Sequence, residues 1–409
     1  MIRIIKKIGN KIAIILCNLF IMIVGVFIKR DSKVIIVGAW MGEKFADNSR
    51  FLFQFLHINK DNLQIRDVVW VTREESSKHE LENKGYHVVL CGTRESLFYH
   101  IKAGIHILCN STITVGDKLP DIDTKYSWGA KKIQLWHGSG FKSVGRASNN
   151  LRNVRESTLQ RIYKKTFISS LGYPGGWDNA FVLCTSEYNY SVNKLIMGCD
   201  DDHLFISCYP RNCECLNYFA SEKKVFNVIR SFEGCILYLP TFRSDYSLYT
   251  HPLDNPELLE YLKNNRLLWI EKPHSASVFR YNKLSDNKNV LMLDDKFDVN
   301  VLYDHISVLV SDYSSAISDA IYKNIPTIIY APDIDIFKNG DVGFLIDMEE
   351  YFGDILIKNM PQILCLLDQI KNNEYFTNQR VAVYDKTRKD YFGDIVSSYS
   401  RVWNDILKL

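Results

Sequence analysis

The sequence lacks most of the short patterns that identify common enzyme classes. It contains no Walker loop, no dinucleotide-binding GxGxxG, no zinc-binding HExxH and no protein-kinase motif set. It also has no DxD metal motif at a strand end, since Asp200–Asp202 and Asp294–Asp295 are typical of charged loops. Internal repeats and low-complexity tracts are absent as well. These absences argue against several nucleotide-, NAD- and zinc-dependent classes and leave an ordinary globular chain.

Paired cysteines and a strong net charge are missing too. The ten cysteines are scattered, and Cys213 and Cys215 stand without the second pair that a zinc site needs. Reduced thiols in a chain of 409 residues indicate the cytoplasm. A net charge of +3 gives no reason to predict a nucleic-acid partner. No cofactor is predicted with certainty, although Mg²⁺ stays open as an assisting ion without a protein cage.

The chain does contain a strongly apolar run, Ile12 to Ile28, flanked by basic residues that include Lys29 and Arg30. As a helix it is about 25 Å long, shorter than a hydrocarbon core of about 30 Å. A cleavable signal peptide is one interpretation, but no small-x-small cleavage site follows. A transmembrane anchor and a helix lying in the membrane interface are the others. Residues 1–30 are therefore predicted to form a membrane-associating helix, and the sequence leaves open whether it spans the membrane or lies in the interface.

The rest of the chain alternates short apolar runs with helix-period segments. The runs lack period-two alternation, which is typical of parallel strands buried on both faces. They fall into two groups that change near Arg211–Lys224. This predicts an α/β protein with two Rossmann-like domains facing each other across a cleft, residues 31–215 and 216–409. Residues 146–171 are predicted to be a basic helical insertion, either solvated or facing a membrane or polyanion.

Polar side chains follow several of the predicted strands, where ligands bind in such sheets. His137 precedes Gly138 in the first half, and its imidazole suits a general base near neutral pH. In the second half, Ser311–Ser315 lead into a helix whose free N–H groups favour an anion. Together they predict an enzyme for a phosphorylated or nucleotide-activated substrate. Other candidates for binding phosphate or its charge are Lys142, Thr241, Arg243, Lys272 and His274.

Four motifs, taken in their order along the chain, resemble those of the CDP-glycerol glycerophosphotransferase family of teichoic acid primases and polymerases. The likeness covers roughly residues 33–385. The motifs are Gln134-Leu135-Trp136-His137-Gly138 with Lys142 and Gly145, Leu239-Pro240-Thr241-Phe242-Arg243, Lys272-Pro273-His274, and Ser311-Asp312-Tyr313-Ser314-Ser315 with Asp319. Weaker support comes from Phe45–Ser49 and from Tyr209-Pro210-Arg211-Asn212. The sequence departs from the family pattern at Gly140, Cys213 and Pro273.

The resemblance implies a GT-B-like fold whose C-terminal domain holds the nucleotide donor. It implies His137 as the base on an acceptor hydroxyl, and His274 as a second catalytic residue. Asp47, Asn48 and Gly138 are expected on the acceptor side. The donor phosphates are expected at Lys142, Thr241, Arg243, Lys272, Ser311, Asp312, Tyr313, Ser314, Ser315 and Asp319.

The same resemblance implies CDP-glycerol or a related CDP-polyol as donor, and release of CMP. The implied acceptor is linked to a polyprenyl diphosphate at the cytoplasmic face of the bacterial plasma membrane. Two alternatives remain open from the sequence. One is a nucleotide-sugar glycosyltransferase or sugar 2-epimerase on the same two-domain frame. The other is a non-catalytic membrane-bound component of a polymer assembly complex.

Overall fold

The structure is a computed structural model. It describes residues 27–110, 119–138, 140–149, 180–241, 250–272 and 287–409, together with residues 16, 19–21, 23 and 24. The predicted site residues Arg243 and His274 lie outside the described residues, as does most of the predicted basic insertion.

The first sheet contains seven parallel strands in the order β3-β2-β1-β4-β5-β6-β7. Its strands are β1 (Asp31–Val37), β2 (Asp67–Thr72), β3 (His87–Leu90), β4 (Ala103–Leu108), β5 (Lys131–Gln134), β6 (Phe181–Cys184) and β7 (Leu204–Ile206). The helices along this part of the chain are α1 (Asp47–Ile58), α2 (Glu75–Glu82), α3 (Arg94–Lys102) and α4 (Glu187–Met197). Valine and isoleucine dominate β1 and β2, and their side chains are buried on both faces, as expected between two helix layers.

The second sheet contains six parallel strands in the order β10-β9-β8-β11-β12-β13. Its strands are β8 (Gly234–Leu239), β9 (Leu267–Glu271), β10 (Val290–Met292), β11 (Val308–Ser311), β12 (Thr327–Tyr330) and β13 (Leu356–Ile357). The remaining helices are α5 (Ala220–Ile229), α6 (Pro256–Asn264), α7 (Ala316–Tyr322), α8 (Ile334–Asn339), α9 (Met348–Phe352), α10 (Met360–Lys371), α11 (Asn378–Phe392) and α12 (Tyr399–Lys408). The prediction of an α/β fold with two parallel sheets is confirmed.

The last two helices return to the first sheet. Thr185, after β6, donates a hydrogen bond of 2.5 Å from its hydroxyl to the carbonyl of Tyr391 on α11. Ser207, after β7, donates to the carboxylate of Asp405 on α12 over 2.9 Å. The C-terminal helices therefore link the two halves of the molecule, in addition to the chain segment that runs from β7 through α5 to β8.

At the N-terminus, the described residues between 16 and 27 are helical. No helix in the described part of the chain is both long and apolar enough to cross a membrane. Arg30 follows this helix and is bound by the first half of the fold. Its guanidinium donates to the carbonyls of His100, Ala103, Tyr126 and Trp128 over 2.7–2.8 Å.

Candidate functional site

A cavity of about 510 Å³ lies where the carboxyl ends of the two sheets face each other. This is the position at which parallel α/β sheets bind ligands. Residues from the first half that line it include Trp40, Lys44, Asp47, Trp136–Gly138, Lys142 and Arg211. Residues from the second half include Leu239–Thr241, Lys272, Asp298, Ser314–Ala316 and Asp319.

The loop after β5 carries His137 into this cavity. Trp136 has φ = +61°, an uncommon conformation for a bulky residue, and its carbonyl accepts a 2.8 Å hydrogen bond from the amide of Asn48. The His137 ring contacts two indoles, with centroids 5.6 Å from Trp40 and 4.2 Å from Trp136. Its Nδ1 is buried and has no hydrogen-bond partner among the described residues. The ring is thus held by these contacts and by a hydrogen bond to the backbone of Cys109, and it retains Nδ1 as a nitrogen that can accept a proton.

The surroundings of His137 favour its neutral form. Burial, followed by the positive charge of Arg211, lowers the pKa of the imidazole to about 4. The charge of Lys142 acts in the same direction. The ring is therefore unprotonated at neutral pH, as a general base must be.

Gly138 makes the close approach between the two halves possible. Its φ is +144°, and a Cβ there would lie 2.5 Å from the hydroxyl oxygen of Ser315 and 3.2 Å from Nη2 of Arg211. A residue with a side chain would have a strained backbone at this position and would collide with Ser315. The missing side chain thus makes room for Ser315, a residue of the other sheet.

The serine turn, residues Ser311–Ser315 after β11, contains two groups of side chains that have different surroundings. Ser311 donates a 2.7 Å bond to the carbonyl of Leu239, and Asp312 accepts from the backbone N–H of Thr241 over 2.9 Å. Tyr313 is buried and donates a 2.8 Å bond to Asp333. Ser314 and Ser315 line the cavity. Of the five, only these last two therefore lie where a ligand in the cavity can reach them.

Arg211 is the central cation of the cleft, although it is not among the site residues predicted from sequence. Its guanidinium donates 2.7 Å from Nη1 to Asp47 and 2.8 Å from Nη2 to Asp319. It is 4% exposed, and the two carboxylates hold the pKa of the guanidinium above its ordinary value despite burial. The Tyr209-Pro210-Arg211-Asn212 segment, already part of the resemblance, was the available signal.

Asp47 and Asn48 begin α1 below the His137 loop. Burial raises the pKa of the Asp47 carboxyl to about 6, and the opposing effect of Arg211 is smaller. Burial likewise raises the pKa of Asp319. The Asn48 side chain bridges Trp136 and the backbone N–H of Arg211, to which its oxygen lies 3.1 Å away. Asn48 thus supports the loop from behind, whereas Asp47 lines the cavity.

A second buried ion cluster continues from the first. Arg50 pairs with Glu222 at 2.5 Å and with Asp298 at 3.5 Å, and all three side chains are at most 4% exposed. The Asp298 carboxylate also accepts a 3.0 Å bond from the backbone N–H of Asp47. Charges from α1, α5 and the loop after β10 are therefore joined beside the cavity.

Three lysines supply further positive charge along the cavity: Lys44, Lys142 and Lys272. Lys44 forms a 2.9 Å ion pair with Asp295, and the ammonium of Lys272 donates to the carbonyl of Phe297 over 2.8 Å. Burial lowers the pKa of Lys272 to about 8, so it stays largely protonated at neutral pH. The described residues contain no cluster of three or more His, Cys, Asp or Glu side chains arranged for a metal ion.

A comparison with protein families matches residues 19–408 to the model of CDP-Glycerol:Poly(glycerophosphate) glycerophosphotransferase. The chain belongs to this family. The resemblance seen in the four motifs is therefore confirmed, and the protein is an enzyme of the glycerophosphotransferase family.

Several curated relatives in this family carry more specific names. The chain is 24% identical over 353 residues to a teichoic acid poly(glycerol phosphate) polymerase of Bacillus spizizenii, covering 84% of this chain and 85% of that protein. It is 25% identical to a teichoic acid glycerol-phosphate transferase of Staphylococcus aureus, over 62% of this chain and 66% of the relative. Its match covers only 46% of the Bacillus subtilis polymerase.

Solved structures of the wall teichoic acid polymerase TagF share the fold of this glycerophosphotransferase. One superposes with a TM-score of 0.66 at 19% identity, covering 93% of this chain and 89% of that one. Another, of a variant soaked with CDPG, gives a TM-score of 0.64 at 18% identity. The GT-B-like arrangement expected from the resemblance is thereby confirmed.

Proposed function

We propose that this enzyme transfers glycerol phosphate, or a related polyol phosphate, from a CDP-activated donor to a hydroxyl of a lipid-linked acceptor. CMP is the second product. The acceptor belongs to teichoic acid, capsule or a related cell-surface polymer. The observation that carries the proposal is the contact of the His137–Gly138 loop with Ser315 across a cavity rich in basic side chains.

In the proposed reaction, the acceptor hydroxyl oxygen attacks the β-phosphorus of the donor. The bond from this phosphorus to the bridging oxygen breaks, and CMP leaves with the electron pair. The proton of the hydroxyl passes to His137, whose neutral imidazole can accept it. The new phosphodiester joins the polyol phosphate to the acceptor.

Charge stabilisation supplies most of the catalysis in such a transfer. The positive groups of Lys142 and Lys272 and the hydroxyls of Thr241, Ser314 and Ser315 line the cavity on the proposed donor side. They are proposed to bind the pyrophosphate oxygens. Arg243 and His274 are proposed to complete this set. Asp319 acts by holding Arg211 in place.

The proposed reaction occurs at the cytoplasmic face of the bacterial plasma membrane. Exposed apolar side chains on the N-terminal helix support membrane contact, notably Ile23 at 63% and Phe27 at 83% exposure. Such a helix can lie in the interface with its apolar side in the acyl boundary. An enzyme held there would meet an acceptor carried by a polyprenyl diphosphate.

A donor screen tests the proposal. The purified chain is incubated with CDP-glycerol, CDP-ribitol, UDP-sugars and GDP-sugars, each with a synthetic lipid-linked acceptor. Mass spectrometry should find acceptor extended by polyol phosphate, with CMP released in equal amount. Turnover of nucleotide sugars alone would replace the proposal with the glycosyltransferase or epimerase alternative.

A further inference from the structure

One part of the cavity is lined by apolar side chains that are not among the residues proposed to bind the CDP-activated donor. Val192 and Ile196 on α4 form one of its walls, and Val144 and Leu345 also line the cavity. Asn193, between the two α4 residues, lines the same cavity and is only 1% exposed. A buried amide in such a setting requires partners for both its oxygen and its nitrogen.

The orientation of the Asn193 amide follows from its neighbours. Asn189 accepts a 3.0 Å bond at Oδ1 from the backbone N–H of Thr185, which fixes the Asn189 side chain. That same oxygen lies 3.3 Å from Nδ2 of Asn193, and the carbonyl of Leu183 lies 3.4 Å away. Both neighbours are acceptors, so the nitrogen of Asn193 must face them.

This orientation leaves Oδ1 of Asn193 buried and without a hydrogen-bond partner in the described part of the chain. A buried acceptor without a donor destabilises the folded chain, because it has lost its hydrogen bonds to water. A ligand hydroxyl bound in the cavity can supply the missing donor, while the apolar wall packs against the carbon atoms that carry it.

The helix bearing Asn193 is fixed to the loop bearing the proposed base. Gly145 has φ = +58°, and a Cβ there would lie 2.3 Å from the carbonyl oxygen of Ile196. The His137 loop and the end of α4 thus touch backbone to backbone. Three of the four apolar wall residues, Val144, Val192 and Ile196, come from the first half of the chain, so we assign this wall to the acceptor and leave the donor to the second half, as in the proposed function.

We propose that Asn193 determines acceptor specificity by accepting a hydrogen bond from the non-reacting hydroxyl of the acceptor's terminal polyol unit. The inference rests on the proposed function and adds a residue and a chemical group to it. Asn193 binds the neighbouring hydroxyl, and the oxygen that attacks the donor lies toward His137. Val192 and Ile196 contact the carbon chain of the same unit.

The test uses the full chain, CDP-glycerol, and two synthetic lipid-linked acceptors. One acceptor ends in glycerol phosphate, and the other ends in propane-1,3-diol phosphate, which lacks only the middle hydroxyl. The wild type should prefer the first by about tenfold in kcat/KM. Asn193→Ala should raise the KM for the glycerol acceptor about tenfold, leave the KM for CDP-glycerol unchanged, and abolish the preference.

Asn189→Ala is the matched control, because Asn189 does not line the cavity and the carbonyl of Leu183 still faces the Asn193 nitrogen when the Asn189 side chain is removed. It should retain the preference for the glycerol acceptor. The inference is overturned if Asn193→Ala keeps the full preference, or if both variants alter donor and acceptor KM equally. Failure of the proposed function itself would look different, since the wild type would then release no CMP from any CDP-polyol.

Discussion

Individual residues in the cleft have distinct tasks that depend on their electrostatic surroundings. Arg211 neutralises Asp47 and Asp319 and adds positive charge near His137. The same cation therefore joins the two halves and keeps the imidazole unprotonated. Replacement by lysine would not be conservative, because one ammonium cannot pair with two carboxylates in the geometry of the guanidinium fork.

The first prediction concerns the pH dependence of His137. Since the pKa of its imidazole is lowered to about 4, kcat/KM should not titrate with the ordinary histidine value near 6.5. The group must be unprotonated to act, so activity persists as the pH falls and is lost only near the lowered pKa. His137→Gln should lower kcat by about 10²–10⁴-fold.

Asp47 provides the control for this profile, because its carboxyl has a pKa of about 6. If kcat/KM falls on the acid side near pH 6 because Asp47 is protonated, this fall should disappear in Asp47→Asn. A fall caused by protonation of His137 should remain in that variant. An acid limb near 6.5 that survives in Asp47→Asn would contradict the account, as would full activity of His137→Gln.

The sequence could predict candidate site residues but not the directions in which their side chains point. Ser311, Asp312 and Tyr313 looked equivalent to Ser314 and Ser315, because the turn gives no sign of which side chains point into the protein. Strand β11 directs Ser311 toward Leu239, whereas Ser314 and Ser315 lie beyond the strand, directly before α7, and line the cavity. Asn193 carries no local motif, since its free oxygen follows from contacts with Asn189 and Leu183.

At the scale of elements, strand ends control the site. The apolar runs predicted from sequence became strands, but β5 ends at Gln134, three residues before His137. The strands β7 and β13 are short and were missed, because three and two residues give little periodicity to detect. The loops after the strands therefore determine how far each functional side chain reaches.

The N-terminal helix gives the second prediction. Ile23 and Phe27 are exposed, so replacing both with serine should not disturb the folded chain. The change removes apolar area from the proposed membrane-binding surface, and binding to anionic phospholipid vesicles should weaken at least about tenfold. Flotation of the protein with the vesicles measures this.

Ile336→Ser is the matched control, since Ile336 is 54% exposed on α8, in the second half of the chain. It should float with vesicles as the wild type does. Equal flotation of all three proteins would show that the helix is not the membrane-binding element.

At the scale of the whole molecule, buried and exposed ion pairs both join the two halves. Arg50 pairs with Glu222 and Asp298 in a buried cluster, whereas Lys296 pairs with Glu74 at 2.8 Å on the surface. Removing one partner of a buried pair leaves an uncompensated charge, while exposed pairs contribute little. Arg50 and Lys296 thus carry the same charge but differ in burial, so replacing each of them shows the effect of burial on an ion pair.

The third prediction follows from that comparison. Arg50→Met should lower the free energy of unfolding by about 3–5 kcal/mol, and Lys296→Met by at most about 1 kcal/mol. Urea titration followed by circular dichroism measures both. Similar small losses for the two variants would mean that the buried cluster does not hold the halves together.

The two-sheet frame was predictable from sequence because parallel strands are continuously apolar. The return of α11 and α12 to the first sheet was not, since their contacts link residues about 200 positions apart, such as Thr185 and Tyr391. The predicted boundary near residue 216 therefore separates the sheets but not every element that packs on them.

The most direct measurement is the stoichiometry of CMP release from CDP-glycerol with a lipid-linked acceptor, for the wild type and for His137→Gln. We expect one CMP for each glycerol phosphate added by the wild type, and almost none with the variant. This expectation is contradicted if the wild type releases no CMP from CDP-glycerol or any other CDP-polyol, or if His137→Gln transfers at the wild-type rate.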